Sequence, residues 1–148
     1  MTIGDADSFV EFAFKEAVPE HMQGATDTSC SVEATCSTFT GKVESVWFAR
    51  DDINRFLSEL EEFEATRKGS VSLLNMSSPS DYNPLNFEIV SIDRARHLVV
   101  KADLLEVRYL NGELSPLRVS VSFDLDTGML RSILMDFRKL FAYKQERI

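Results

Sequence analysis

The chain has 148 residues, with 16 Lys+Arg against 24 Asp+Glu and a formal net charge of −8. At 44% hydrophobic and 27% charged residues it can bury a core without disulfide or metal staples, which excludes a disordered or fibrous chain. The acidic balance argues against nucleic acid and anionic membrane as partners, since both draw on Lys and Arg, and favours a basic protein.

Residues 1–7 hold two acids where a signal peptide would carry basic residues, so they read as a flexible leader and the protein as cytoplasmic. The longest apolar-rich piece, Leu98 to Leu110, is interrupted by Lys101, Asp103, Glu106 and Arg108, so no membrane span is expected. Cys30 and Cys36 read as free thiols, because six residues along one strand place them far beyond disulfide reach.

Ser8 to Glu16 puts Val10, Phe12 and Phe14 on one face, the period of a half-buried strand. A loop over Pro19 to Thr28 separates it from two further β-rich runs, Ser29 to Ser37 and Thr38 to Ala49. Strict alternation in the last of these places Val43 with Trp47 on one face and Val46 with Phe48 on the other, with Gly41 at a bulge or bend. From Arg50 the period becomes helical: Ile53, Phe56, Leu57, Leu60 and Phe63 form one stripe. Asp51 and Asp52 are placed to cap its start, and Gly69 to stop it after Arg67 and Lys68. Val71 to Met76 resumes a strand, followed by a turn-rich loop from Ser77 to Pro84.

Leu85 to Ile92 alternates again, and Asp93 to Arg96 leads into a strand from His97 to Leu110. Asn111-Gly112 is a two-residue hairpin turn feeding a strand in which Leu117, Val119, Val121, Phe123 and Leu125 face inward. Asp126 opens a closing helix to about Phe141, with Leu130, Ile133, Leu134, Phe137, Leu140 and Phe141 on its stripe and Arg138, Lys139 and Lys144 toward its negative end. The order βββαββββα with short links implies antiparallel pairing. The expected fold is α+β: a two-layer sandwich in which one curved antiparallel sheet of about seven strands carries both helices on one face, in a single domain over 1–148.

Catalytic chemistry finds no pattern. His21 and His97 lack neighbours at metal-ligand spacing, and the six glycines stand singly, so neither a zinc site nor a phosphate loop can be assembled. No catalytic, cofactor-binding or metal-binding residue is assigned, and no cofactor is expected. Charge is the more informative pattern. Residues 1–37 and 51–64 together hold 13 acids against Lys15 and Arg55, while the remainder of the chain is mildly basic. Such runs either keep a surface wet or steer a cationic partner.

Four stretches, taken in order, resemble a known family: Thr40-Gly41-Lys42-Val43-Glu44-Ser45-Val46-Trp47-Phe48, Asp51-Asp52-Ile53-Asn54-Arg55-Phe56-Leu57-Ser58-Glu59-Leu60, Arg67-Lys68-Gly69-Ser70-Val71, and Val121-Ser122-Phe123-Asp124-Leu125-Asp126 with its amphipathic helix. Across residues 30–141 the chain looks like the WapI-type immunity proteins of bacteria. The resemblance implies a small, non-enzymatic α+β protein that protects its producer by occluding a toxin domain. For a basic toxin the contact residues would be Asp52, Glu59, Glu61, Glu62 and Glu64. Two other classes stay open: a small-molecule-binding or enzymatic domain with a pocket between sheet and helices, marked by a polar cluster around Cys30, Cys36, His97 or Asp124, and a structural subunit pairing through an exposed strand edge. The oligomeric state is accordingly monomer or homodimer.

Overall fold

The computed structural model of the protein describes residues 1–76, 82–92 and 97–142. In chain order the elements are β1 (Thr2–Gly4), β2 (Ser8–Ala17), β3 (Thr28–Cys36), β4 (Phe39–Phe48), α1 (Arg50–Thr66), β5 (Ser70–Leu73), β6 (Leu85–Ser91), β7 (Leu98–Leu110), β8 (Glu113–Leu125) and α2 (Leu130–Leu140), the last preceded by a 3-10 turn. The turn residues at 77–81, the connection at 93–96 and Lys144 lie outside the described residues. No described helix is long and apolar enough to cross a membrane.

The α+β class holds, but one curved sheet of seven strands does not form. The strands make two antiparallel sheets of four, in the orders β1-β2-β3-β4 and β5-β6-β7-β8. Short links enforce pairing inside each sheet, whereas the 17-residue α1 stands between β4 and β5 and releases them from becoming neighbours. Coverage gives the physical reason. Seven strands at roughly 4.8 Å spacing span about 29 Å, while two helices at about 10 Å each cover only about 20 Å. Splitting the sheet lets each half cover the apolar face that the helices cannot reach.

Where the halves meet, each contributes phenylalanines to one cluster. Phe12 of β2 meets Phe87 of β6 and Phe137 of α2, each at 5.3 Å between ring centroids and edge-on. Phe56 of α1 joins Phe137 at 4.9 Å, and Phe48 of β4 reaches Phe141 at 5.5 Å. All six of these rings are buried. Burying each is worth roughly 1.5–3 kcal/mol, and the edge-on pairs add about 0.5–1.5 kcal/mol. At the other end β8 crosses the first sheet. A Cβ on Gly41 of β4 would lie 2.7 Å from Val119 Cγ2, so glycine is required there by close approach and not by a bulge.

The bulge falls further along β4. Cys30 pairs with Val46 and Val32 with Val43, so three steps on β4 oppose two on β3. The extra residue turns Val43 to the same side as Val46 and Phe48, where it packs on the core, instead of leaving it with Trp47. A second bulge in β2, between Phe14 and Glu16, follows the core pair Val10 and Phe12 and leaves Phe14 41% exposed.

The start of the chain is also corrected. Thr2–Gly4, expected as part of a flexible leader, forms β1 against Phe9 to Glu11, with Ile3 fully buried. Asp5 then accepts the backbone N–H of Asp7 and Ser8 at 2.8 and 2.9 Å, which closes the turn into β2. The caps of α1 differ too. Neither Asp51 nor Asp52 caps it; Asp27, from the loop between β2 and β3, accepts the Arg50 N–H at 2.9 Å. The helix ends at Arg67, whose left-handed φ of 56° lets its N–H return to Phe63 O, two residues before Gly69.

Candidate interaction surface

The outer face of α1 is set by its burial. Ile53, Phe56, Leu60 and Phe63 are turned inward, so the residues at i, i+4, i+8 and i+11 from Asp51 form the opposite stripe: Asp51, Arg55, Glu59 and Glu62. All four are exposed. Of the acids expected as contacts, Asp52 turns aside to pair with Arg55 at 3.7 Å, and Glu61 pairs with Arg138 of α2 at 3.2 Å. Glu64 sits half-buried on the rim of the core stripe. Glu59 and Glu62 remain exposed without an ion pair among the described residues, and Asp51 joins them. Sequence reasoning assigned Asp51 to capping; because Asp27 takes that role, Asp51 is free to face solvent.

Asp27 belongs to a wider junction. The Arg50 guanidinium donates to Thr26 O through Nε and Nη2 at 3.1 and 2.9 Å, and to Phe141 O at the end of α2 through Nη1 at 2.9 Å. Partial burial lowers the pKa of Arg50 and the Asp27 charge opposes that shift; the group stays protonated at ordinary pH. The junction ties loop, α1 and α2 together, and every donor in it is directed at protein.

Acids of the first sheet do not extend the α1 face into one continuous field. On its outer side Glu11 pairs in register with Glu33 and Glu33 with Lys42, while Lys15 and Lys42 both reach Glu44 at 3.6 Å. The bases are interleaved, so the sequence asymmetry concentrates on α1.

The residues that would mark a reactive pocket do not come together in one buried polar cluster. Cys30 lies in the core on the inner face of β3, and burial pushes its thiol up to about 12. Cys36 is half-buried beside Ser8, with Oγ to Sγ at 3.5 Å, while His97 and Asp124 are exposed on the second sheet. Asp126 caps the closing turn through Gly128 N at 2.9 Å. Among the described residues no group of His, Cys, Asp or Glu could hold a metal ion. An open cleft of about 320 Å³ lies on the outer side of the second sheet, not between sheet and helices. Asn75, Asn83, Asn86, Glu88, Lys101 and Asp103 line it, and the Oδ1 atoms of Asn75 and Asn83 are buried without a partner among the described residues.

A second exposed feature is apolar. Strand β6 ends its pairing where Leu85 meets Leu104, but β7 and β8 continue to the Asn111-Gly112 turn as a two-stranded ribbon. Tyr109, Leu110, Leu114 and Leu117 on this ribbon are exposed, Tyr109 by 72%. No protein-family model, curated protein or solved structure matches the chain.

Proposed function

We propose that the chain is a non-catalytic, cytoplasmic protein-binding module of the immunity type, which neutralises a basic toxin domain by occlusion. The observation that carries this reading is the outer stripe of α1, where Asp51, Glu59 and Glu62 stand exposed and without an ion pair among the described residues. Charges so placed accelerate encounter with a cationic partner and disfavour wrong ones, and occlusion requires no reacting group. The resemblance to immunity proteins supplies the partner class. The direct test measures binding to the C-terminal domain of a secreted toxin encoded beside this gene. The triple variant D51K/E59K/E62K should weaken it by at least about tenfold, mainly through the association rate. Unchanged affinity in a folded triple variant would remove α1 from the interface.

The small-molecule reading retains one observation, the outer cleft with its two unpartnered amide oxygens beside Glu88 and Asp103. An acceptor-rich lining suits a donor-rich cation. Calorimetric titration with agmatine should then give a saturable heat that D103N abolishes; no heat at millimolar ligand rejects it.

A further inference from the structure

The outer face of the second sheet carries a line of charge that its register fixes. Glu88 of β6 lies opposite Lys101 of β7, Asp103 of β7 opposite Ser120 of β8, and Arg118 of β8 opposite Leu105. Lys101, Asp103 and Leu105 share one face of β7, so Glu88, Asp103 and Arg118 all stand on the same side of the sheet. They are diagonal neighbours on three consecutive strands, in steps of about 8 Å between backbones. The signs along the line are minus, minus, plus. Two hollows lie over it: the cleft of about 320 Å³ takes in Glu88 and Asp103, and a smaller one of about 150 Å³ takes in Asp103 and Arg118. Asn83, Asn86 and Asp103 line both, so the hollows join into one groove. Its wall is tied down, since Asn83 Nδ2 donates to Asn86 Oδ1 at 2.9 Å and Leu105 N–H donates to Pro84 O at 3.0 Å. Among the described residues the side chains of Asp103 and Arg118 make no hydrogen bond or ion pair, and Glu88 accepts only the Ser72 hydroxyl, at 3.4 Å.

We propose that the groove binds a small bifunctional ligand, an ω-guanidino acid, with its guanidinium between Glu88 and Asp103 and its carboxylate on Arg118. This rests on the small-molecule reading of the cleft, to which it adds the second end of the ligand, and is independent of toxin binding. At the acidic end Glu88 and Asp103 exceed Lys101 by one charge, which one guanidinium balances. Its N–H donors form a planar fork that can meet two carboxylates at once. At the other end the single charge of Arg118 is matched by an acid. From the midpoint of the two carboxylate positions to the Arg118 backbone is about 12 Å, one and a half diagonal steps. A butyrate chain covers roughly half of that span, and the Arg118 side chain reaches across the rest. The larger hollow, at about 320 Å³, lies at the lower end of small-ligand pockets, which suits a ligand of this size. Agmatine offers the same guanidinium but carries an ammonium at its far end, where Arg118 repels it.

Calorimetric titration with γ-guanidinobutyrate and with agmatine, which nearly match in length and differ in the charge of the far group, tests the assignment. The wild type should bind γ-guanidinobutyrate at least about tenfold more tightly than agmatine. R118Q should bring the two ligands level, R118E should reverse the preference, and D103N should abolish binding of both. Arg118 and Asp103 are exposed, so each variant should melt near the wild type. A wild type that takes agmatine as tightly as the acid, or an R118Q or R118E variant that keeps the acid preference, overturns the assignment and leaves the cation reading of the cleft standing. Absence of heat from either ligand at millimolar concentration overturns both.

Discussion

The two sheets handle the same problem differently. The first breaks register twice, in β2 and β4, whereas the second runs unbroken from Ser70 to Leu125. A bulge adds twist and re-aims side chains, so the first sheet can bring Val43, Val46 and Phe48 to one side and curl toward the aromatic cluster. Regular pairing gives the second sheet no such bend, and its longest hairpin projects past the core as a ribbon. Irregularity here belongs to the half that closes, and regularity to the half that stays open.

The comparison breaks most severely at the cluster that joins the halves. Phe137 contacts Phe12, Phe56, Phe87 and Phe141, so Phe137→Ala should cost about 3–5 kcal/mol in urea denaturation, while Tyr109→Ala on the ribbon should stay within about 0.5 kcal/mol. Equal losses would mean that the ribbon is packed as tightly as the core.

This contrast also explains what was legible in the sequence. Both helical stripes were, since Ile53, Phe56, Leu60, Phe63, Ile133, Leu134 and Phe137 are buried as their spacing requires. The strands of the regular sheet and the Asn111-Gly112 turn were legible for the same reason, except that β5 stops at Leu73 and that Leu117, expected to face inward, is exposed where β8 projects past the core. The three long strands of the first sheet were legible too, but the facing of Val43 was not, because a bulge shifts phase without leaving a residue-type signal: nothing in Glu44 or Ser45 announces that Val43 will side with Val46. The Asp27 cap was hidden by distance, 23 residues before the helix it serves. That hidden cap in turn concealed the exposure of Asp51, so the five acids expected at a contact and the exposed, unpaired acids of the α1 outer stripe are not the same set among the described residues.

Arg50 anchors the loop that ends the first sheet's hairpin. Removing it leaves Phe141 O without that donor and Thr26 O with the Thr28 hydroxyl alone, so Arg50→Ala should cost about 2 kcal/mol by thermal or chemical melting. Arg50→Lys should recover only part, because one ammonium cannot span both carbonyls in the same geometry. Where the sheets cross, Gly41→Ala should cost roughly 1–3 kcal/mol through overpacking on Val119, and Val119→Ala in the same chain should relieve it. Additive losses in that double-mutant cycle would separate the two strands.

The smallest effect lies at the first turn. Hydrogen bonds from the backbone N–H groups of Ser8 and Asp7 hold the Asp5 carboxyl below its ordinary value of 3.8. Since the folded value is the lower one, this contribution is complete above the unfolded value and is lost as pH falls through the folded one. An NMR titration should place the Asp5 midpoint below the ordinary aspartate value, with β1 loosening only under acid.

The contrast between a closed and an open half is tested most directly by residue-resolved amide exchange along β7. In dilute protein the N–H groups of Glu106 and Arg108 should be protected by β8, while those of Val107 and Tyr109 exchange freely. Uniform protection of all four would contradict the account of an open edge.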